Sequence, residues 1–499
     1  MTNKHIAVID VGKTNKKILI FDEKLKIIES AYEKIEEYEK DGVRFEAVEE
    51  TTAWFKKQLA AFAKKYAISA VSVTTHGATI VCIDADGRPA VPVVAYTTEA
   101  DEEFQKEFYG VFGSPQELQK KTATARIGSL INAGKVLYFV KKRYPDGFKR
   151  IAQVLNYPQY FGYVLTGNTG AEPTYVGCHT YLFDFKKRTW SDVAAKLGIL
   201  DKLPATIRKS WDVLGTISPS IARETGLPSS CIVTMGIHDS NASLLPFLVK
   251  GHRDFVLNST GTWCVAMSPA ARVAFKPREL GKLVFYNLDA FFNPVKTSIF
   301  MGGLEYETWL TVLRNKNAGA ERPAYDRAAY QKLMAENRFF ILPSVTPGTG
   351  IFPNARPRAV EDGAEFTLEE IQSGKRVPAF FRDFAVAHAA LVISLVIQTR
   401  AAFDMVGFAG EGTIFTEGGF RRNEAYNRLL SALYPKASIF LTGLQEATAF
   451  GAAILARAAL DKTDPKATTG LFKIEMTTVP AEKIDGCALY RERFMGMIS

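Results

Sequence analysis

Apolar residues along this chain recur in two registers, alternating runs of four to seven and longer stretches at helical spacing. IAVIDVGKTNKKILIFD, residues 6–22, takes an apolar strand into a turn at Asp10, Gly12 and Thr14 and out through a second apolar strand. DFVLNSTGTWCVAMSP, residues 254–269, repeats the plan, with its turn at Ser259, Thr260, Gly261 and Thr262. A turn rich in Gly and hydroxyl residues exposes backbone N–H groups, and these with the hydroxyls form a concave anion site. Two such turns, one per half, predict a phosphate gripped from both sides; each alone reads equally as a plain hairpin.

Between the hairpins, KIIESAYEKI (26–35) predicts a third strand and TTAWFKKQLAAFAKKYA (51–67) a helix. AISAVSVTTHG (67–77) follows as a strand, and TIVCIDADGRPAVP (79–92) as a hairpin around Asp86 and Gly87. Residues 129–165 turn helical and close on Gly167, and GAEPTYVGCHTYLFD (170–184) reads as a polar, ligand-like loop. CIVTMGIHDSNASLLPFL (231–248) runs strand, turn at Gly236 to Asp239, then helix. The second hairpin starts directly afterwards, which predicts domains 1–249 and 250–499. Later, GTIFTEGG and ASIFLTG read as strands, each leading into a helix, RRNEAYNRLLSALY and QEATAFGAAILARAALD. Strands joined by crossover helices imply α/β layers in both halves.

Composition narrows the partners. The 499 residues exceed one ordinary core, so two domains are expected, and 47% hydrophobic with 23% charged residues is an ordinary globular balance. The formal charge of +9 comes from 62 Lys and Arg spread among 53 acids, with no basic block interleaved with aromatics, so no nucleic-acid partner is expected. Cys82, Cys178, Cys231, Cys264 and Cys487 form no CxxC pair, which argues against a zinc or disulfide framework and for reduced thiols. Only IAVI precedes Asp10, so no signal peptide is expected. The stretch 384–397, interrupted by His388, falls short of the roughly 18 residues of a membrane span and reads as a buried helix. A cytoplasmic protein with no membrane partner is expected, and a homodimer is left open.

The chain lacks GxxxxGK[ST] and any GxGxxG between strand and helix, so neither a P-loop enzyme nor a Rossmann dehydrogenase is expected. Asp10 suits Mg²⁺ held through water, Thr14 suits donation to phosphate, and Lys17 suits charge neutralisation. Asp239, where a strand ends and a helix begins, reads as a catalytic base or as a helix N-cap. His238, Asp239 and Asn241 fail as a metal trio, because no further His or Cys lies at ligand spacing. His76 with Gly77, at a strand end, and Glu172, Thr174 and His179, in the polar loop, suit a sugar hydroxyl or a purely structural role. Gly418 and Gly419 permit the close approach that an adenosine needs, or simply a tight turn.

Taken in order, these segments resemble the FGGY family of carbohydrate kinases over nearly the whole chain. DVGKTNKK resembles the family's first phosphate motif, DxGTTSxR, with Lys17 in the Arg position, Lys13 in place of Thr and Asn15 in place of Ser. Thr75, His76 and Gly77 are similar to the family's sugar-contacting MHG-like tripeptide, and GIHDSNASLL to the segment carrying its catalytic Asp, here Asp239. STGTWCVAM resembles the second phosphate motif, ILPSVTPGTGIFPNARP a loop that in relatives often reads GERTP followed by NARG, and EGGFRRNEAYNRLLSALY the adenosine-binding segment. Tyr96, Thr97 and Thr98 stand where many relatives carry a Trp-Asn-Asp-like sugar-binding stretch, so Glu99 or Glu172 is the expected replacement for the missing Asp.

The resemblance implies a two-domain, actin/hexokinase-like (ribonuclease H-like) α/β fold with a central cleft, and an ATP- and Mg²⁺-dependent carbohydrate kinase. It implies Asp239 as base and Mg²⁺ near Asp10. Gly12, Lys13, Thr14, Asn15, Lys17, Gly261 and Thr262 would meet phosphates, and Gly418, Gly419 and Asn423 would meet adenosine. His76, Gly77, Glu172, His238 and Asp239 would meet the sugar. The loop 170–184 and the STGTW form lean toward fuculose and rhamnulose kinases, with a pentulose or polyol kinase, or a non-catalytic ATP-binding regulator on the same fold, as the alternatives.

Overall fold

In the strand His5–Val11 the side chains divide strictly by parity: Ile6 and Val8 enter one core, Ala7, Ile9 and Val11 another. Such a strand is covered on both faces, and its near-continuous apolar run follows from that. A computed structural model describes residues 4–346 and 350–498 of the chain. Its two principal sheets are built alike.

In the first sheet Ile27–Lys34, Asn15–Phe21 and His5–Val11 pair antiparallel, Ile68–Thr75 and Ile232–Thr234 continue in parallel, and Val213–Thr216 closes antiparallel. In the second sheet Pro294–Phe300, Cys264–Pro269 and Phe255–Thr260 pair antiparallel, Glu411–Gly418 and Lys436–Thr442 continue in parallel, and Met476–Thr478 closes antiparallel. The second sheet adds one edge strand, Val284–Leu288. The two-domain α/β architecture that the family resemblance implies is the one observed.

The halves are less separable in space than along the chain. Helix Ala447–Asp461, from the end of the second half, lies on the first sheet, and Ala449, Ala452, Ala453 and Ala456 share a core with Ile6, Val8, Leu19 and Phe21. Helix Asp239–Val249 contributes Ala242, Leu245 and Val249 to that core and Leu244 and Phe247 to the core under the second sheet. These two helices cross closely. Pro246 has no N–H for the carbonyl of Ala242, and a Cβ at Gly451 would stand 2.0 Å from that oxygen, so glycine is required at the crossing.

Three local expectations change. Ile80–Ile83 pairs with Gln153–Asn156, and only a single bridge, Ile83 to Pro89, closes the turn at Asp84–Arg88, so the expected hairpin recruits a distant partner. The polar loop at 170–184 is buried and holds the short helix Pro173–Val176. The apolar helix extends over Phe384–Val406, long and apolar enough by composition to cross a membrane, but 78% of its window is buried in the second half's core. The centre of ILPSVTPGTGIFPNARP, residues 347–349, lies outside the described residues.

Gly451→Val should overpack the helix crossing and cost about 1–3 kcal/mol. Urea unfolding checks this, and an unchanged midpoint would contradict the close approach.

Candidate active site

Strand Ile232–Thr234 ends at Gly236, whose φ of +83° and whose Cβ, were there one, at 2.8 Å from the Val73 oxygen restrict the position to glycine. The chain turns there, adds the short strand Ile237–His238 beside Ile68–Thr75, and starts the helix at Asp239. The helix N-cap is His238, without a side-chain cap bond, so Asp239 is not the capping aspartate that its local sequence allowed. Its Oδ1 accepts from the Ser240 N–H at 2.6 Å and lies 3.3 Å from His238 Nε2.

Two cavities share the turn at Thr260 and Gly261. The larger, about 500 Å³, lies in the second half and is lined by Thr262, Gly303, Tyr306, His388, Gly419 and Asn423 among others. The smaller, about 300 Å³, draws on both halves, with His76, Gly77, Tyr96, His238 and Asp239 from the first and Asn287, Thr297 and Phe285 from the second. Missing side chains keep the turn accessible. A Cβ at Gly303 would stand 2.1 Å from the Gly261 oxygen, and one at Gly418, with φ +80°, 1.9 Å from the Thr260 oxygen. Thr260 Oγ1 accepts from the Phe420 N–H at 2.9 Å and locks the two strand ends together. Asn423 Oδ1 accepts from the Tyr426 N–H and caps helix Glu424–Leu433 at the cavity rim.

Burial governs the charges of the smaller cavity. It lifts the Asp239 carboxyl above its usual range, against the opposing pull of His76 and the Ser240 N–H. It drives His238 down to about 3 and, together with His238, His179 to about 4. His76 is also lowered by burial, although Glu46, 3.6 Å from its Nε2, pulls the other way. The cavity therefore presents neutral imidazoles to its occupant at neutral pH.

The first turn lies outside both cavities. Asp10 Oδ2 accepts from Thr448 Oγ1 at 2.6 Å, and burial lifts this carboxyl to about 6 against the pull of Lys17. Lys17 Nζ lies 4.0 Å from Asp10 and donates to Glu446 at 2.5 Å. Thr14 and Asn15 are exposed, and the Gly12 N–H closes the turn onto the Asn15 oxygen at 3.1 Å. Lys13 departs from the expectation that it meets phosphate. It pairs with Glu37 and with Glu46 at 2.9 Å and lies 4.4 Å over the Tyr96 ring, because two largely buried carboxylates require a cation. Buried Lys16 donates to the Gly12 and Lys13 oxygens at 2.9 Å each and holds the turn, a role its sequence position did not disclose.

Glu172 is a correction. It is 0% exposed and lines neither cavity; its carboxylate accepts from the Thr174 and Tyr175 N–H groups and from Thr174 and Ser210 hydroxyls. The residue caps Pro173–Val176, and the Thr174 hydroxyl in turn accepts from the His238 N–H at 2.9 Å. Glu99 is exposed and also outside the cavities. Of Tyr96, Thr97 and Thr98 only Tyr96 lines the smaller cavity, while Thr97 donates to Glu37 and Thr98 to the Arg44 oxygen. Gly303, Asn287 and Cys178 were missed. Gly302 and Gly303, at a junction of strand and helix, carry the same signal as Gly418 and Gly419; the other two carry none.

Comparison with known proteins follows the same lines. Residues 5–246 match the family model "FGGY family of carbohydrate kinases, N-terminal domain", and residues 252–465 match "Carbohydrate kinase FGGY, C-terminal domain". L-fuculokinase of Salmonella typhi is 23% identical over 287 residues, 54% of this chain and 57% of that protein. A rhamnulokinase of Oceanobacillus iheyensis is 24% identical over 339 residues, 66% of each chain. The matches thus span less than two thirds of these curated relatives. The crystal structure of a carbohydrate kinase from Novosphingobium aromaticivorans is 25% identical with a TM-score of 0.77, covering 100% of this chain and 99% of that one.

Glu172→Ala should leave buried N–H and hydroxyl donors without an acceptor and cost about 1–3 kcal/mol in urea unfolding. A ligand-binding Glu172 would instead leave stability unchanged and weaken only the ligand.

Proposed function

The chain belongs to the FGGY family of carbohydrate kinases, and on that premise we propose that it transfers the γ-phosphoryl group of ATP to a hydroxyl of a small sugar, a ketose of the L-fuculose or L-rhamnulose type. The observation that carries this reading is the turn at Thr260 and Gly261, which lines both the larger cavity and the smaller one that contains Asp239. In this reading adenosine rests beside Gly418, Gly419 and Asn423, and its phosphates cross Gly261 and Thr262 toward the smaller cavity. Residues 1–249 supply sugar contacts and base, and residues 250–499 the nucleotide site. Closure of the cleft excludes water and brings Gly12, Thr14, Asn15 and Lys17 onto the phosphates.

His76, Gly77 and His238 orient the sugar, and Asp239 takes the proton of the attacking hydroxyl. The raised carboxyl suits a base, because its proton affinity lies closer to neutrality than that of an exposed aspartate. The Asp10 carboxylate beside the Thr448 hydroxyl is an all-oxygen donor set of the kind Mg²⁺ prefers. Bound there, Mg²⁺ would neutralise charge on the phosphates. Ile127, Ile131, Val265, Phe285 and Ile299 make part of the smaller cavity apolar. That wall suits the terminal methyl of a 6-deoxy ketose better than a polyol with a hydroxyl on every carbon. The cysteines are unpaired, as in a reducing compartment, and the reading places the enzyme in the cytoplasm.

ADP release across a panel of ketoses and polyols tests the reading. A 6-deoxy ketose should exceed its 6-hydroxy counterpart in kcat/KM by about 10- to 100-fold. ADP release that ignores every sugar would favour a nucleotide-binding regulator instead.

Asp239→Asn should lower kcat by about 10² to 10⁴ while ATP still binds; near-normal turnover would remove Asp239 from the role. Because the base acts ionised and its carboxyl lies above the usual 3.8, the acid limb of kcat/KM should fall above that pH, with activity lost as pH drops through it. Thr262→Ala removes one donor to a charged group, about 1.5–3 kcal/mol, and should raise KM for ATP by about ten- to a hundredfold. Unchanged ATP affinity and turnover would exclude the second turn from phosphate binding.

A further inference from the structure

Spacing around His238 offers no third metal ligand, but the fold supplies two from sixty residues away. The buried loop at 170–184 brings Cys178 and His179 to the end of the strand carrying His238, and the ligand atoms of all three lie within 4.8 Å of one another. Among the described residues this is the one such cluster of His, Cys or acidic side chains that could hold a metal ion.

The spacings match a coordination sphere. Ligand bonds of about 2.0–2.1 Å for nitrogen or oxygen and about 2.3 Å for sulfur place tetrahedral N and S about 3.6 Å apart, and N and O about 3.4 Å apart. Cys178 Sγ lies 3.5 Å from His238 Nε2, and Asp239 Oδ1 lies 3.3 Å from the same nitrogen. His179 is held at φ +41°, a left-handed conformation that a non-glycine residue adopts at a cost, and its Nδ1 is buried without a hydrogen-bond partner. Gly77 leaves room for both rings: a Cβ there would stand 2.8 Å from His238 Nε2 and 3.2 Å from His179 Cε1. Asn241 Nδ2 lies 3.2 Å from His238 Nδ1, and its Oδ1 is buried without a partner. A half-turn of that amide, which gives up the 3.5 Å bond from Nδ2 to the Thr174 oxygen, lets Oδ1 accept from Nδ1–H and frees Nε2 to ligate.

We propose that Cys178, His179 and His238 form a site for a borderline transition-metal ion of the Zn²⁺ class. It is separate from the oxygen ligands of Asp10, since sulfur and imidazole donors select against Mg²⁺. On binding, the metal–sulfur bond replaces the S–H bond and the proton leaves to solvent. An ion on His238 Nε2 stands beside Asp239 Oδ1, 3.3 Å from that nitrogen, so metal binding and sugar phosphorylation exclude one another. This consequence rests on the function proposed above; the binding itself does not.

The test is a Co²⁺ titration of the full chain, stripped with chelator and free of nucleotide and sugar. One equivalent should produce tetrahedral d–d bands with a thiolate-to-cobalt charge-transfer band, and Zn²⁺ should displace it. Cys178→Ser should abolish the charge-transfer band, and Cys487→Ser, which alters the one half-buried thiol, should keep it. No thiolate band in the unmodified protein, or one that survives Cys178→Ser, overturns the site, and the first result requires no variant to fold. In the presence of Mg²⁺ and ATP, one equivalent of Zn²⁺ should lower sugar turnover at least tenfold, with recovery on chelation. Turnover unaffected by a fully bound ion overturns the exclusion. A thiolate band in a protein that phosphorylates no sugar removes the proposed function and leaves the metal site standing.

Discussion

One crossing of two helices ties the two halves together beside Asp239. Helix Asp239–Val249 is apolar on opposite faces, with Leu245 and Val249 under the first sheet and Leu244 and Phe247 under the second. Helix Ala447–Asp461 returns from the end of the chain to cover the first sheet, and Gly451 lets it reach the Ala242 carbonyl that Pro246 leaves free. Both ends of the arrangement lie at the proposed site. Asp239 starts one helix, and Thr448, in the first turn of the other, donates to Asp10. A shift at this crossing would move Asp239 and the acidic end of the first turn together.

Around that crossing, absent side chains matter as much as present ones. Gly303 and Gly418 bring backbone against the turn at Thr260 and Gly261, which leaves a thin partition of main chain lining both cavities. Gly77 does the same for the histidines of the smaller cavity. Burial then sets the charges: imidazoles are held neutral and the carboxyls of Asp10 and Asp239 are raised, so these acids gain most from an arriving cation or proton. The lysines of the first turn are spent differently. Lys16 binds turn carbonyls, Lys17 faces Asp10 and Glu446, and Lys13 serves Glu37 and Glu46 behind Tyr96. The repeated hairpin is thus one backbone plan with two uses.

The fold was legible because its signals are local. Alternation in IAVIDV, the Gly and Thr turns, and the helical spacing after each parallel strand depend only on near neighbours, and the central strands of both sheets follow from them, while Val213–Thr216, Val284–Leu288, Pro294–Phe300 and Met476–Thr478 do not. The site was partly legible for the same reason. Gly236 before Asp239 and Gly418 before Gly419 are turn chemistry written in consecutive residues. Glu172 was misread because a polar residue amid Pro and Thr resembles a ligand-binding loop. Its acceptors are in fact consumed by the Thr174 and Tyr175 N–H groups and by Ser210, which lies far along the chain. The strand Gln153–Asn156 was missed because it is short and pairs with Ile80–Ile83 across an intervening helical region.

The two α/β halves, the paired turns, the strand-to-helix junction at Asp239 and the family resemblance are all written in residues close to one another along the chain. Tertiary structure decided which charges meet. It drew Lys13 away to Glu46, turned Glu172 inward as a cap, and carried Cys178 and His179 to His238. Periodicity and turn chemistry are properties of residues a few positions apart, whereas a site made of charges and ligand atoms depends on distances of a few ångströms between segments that only packing brings together.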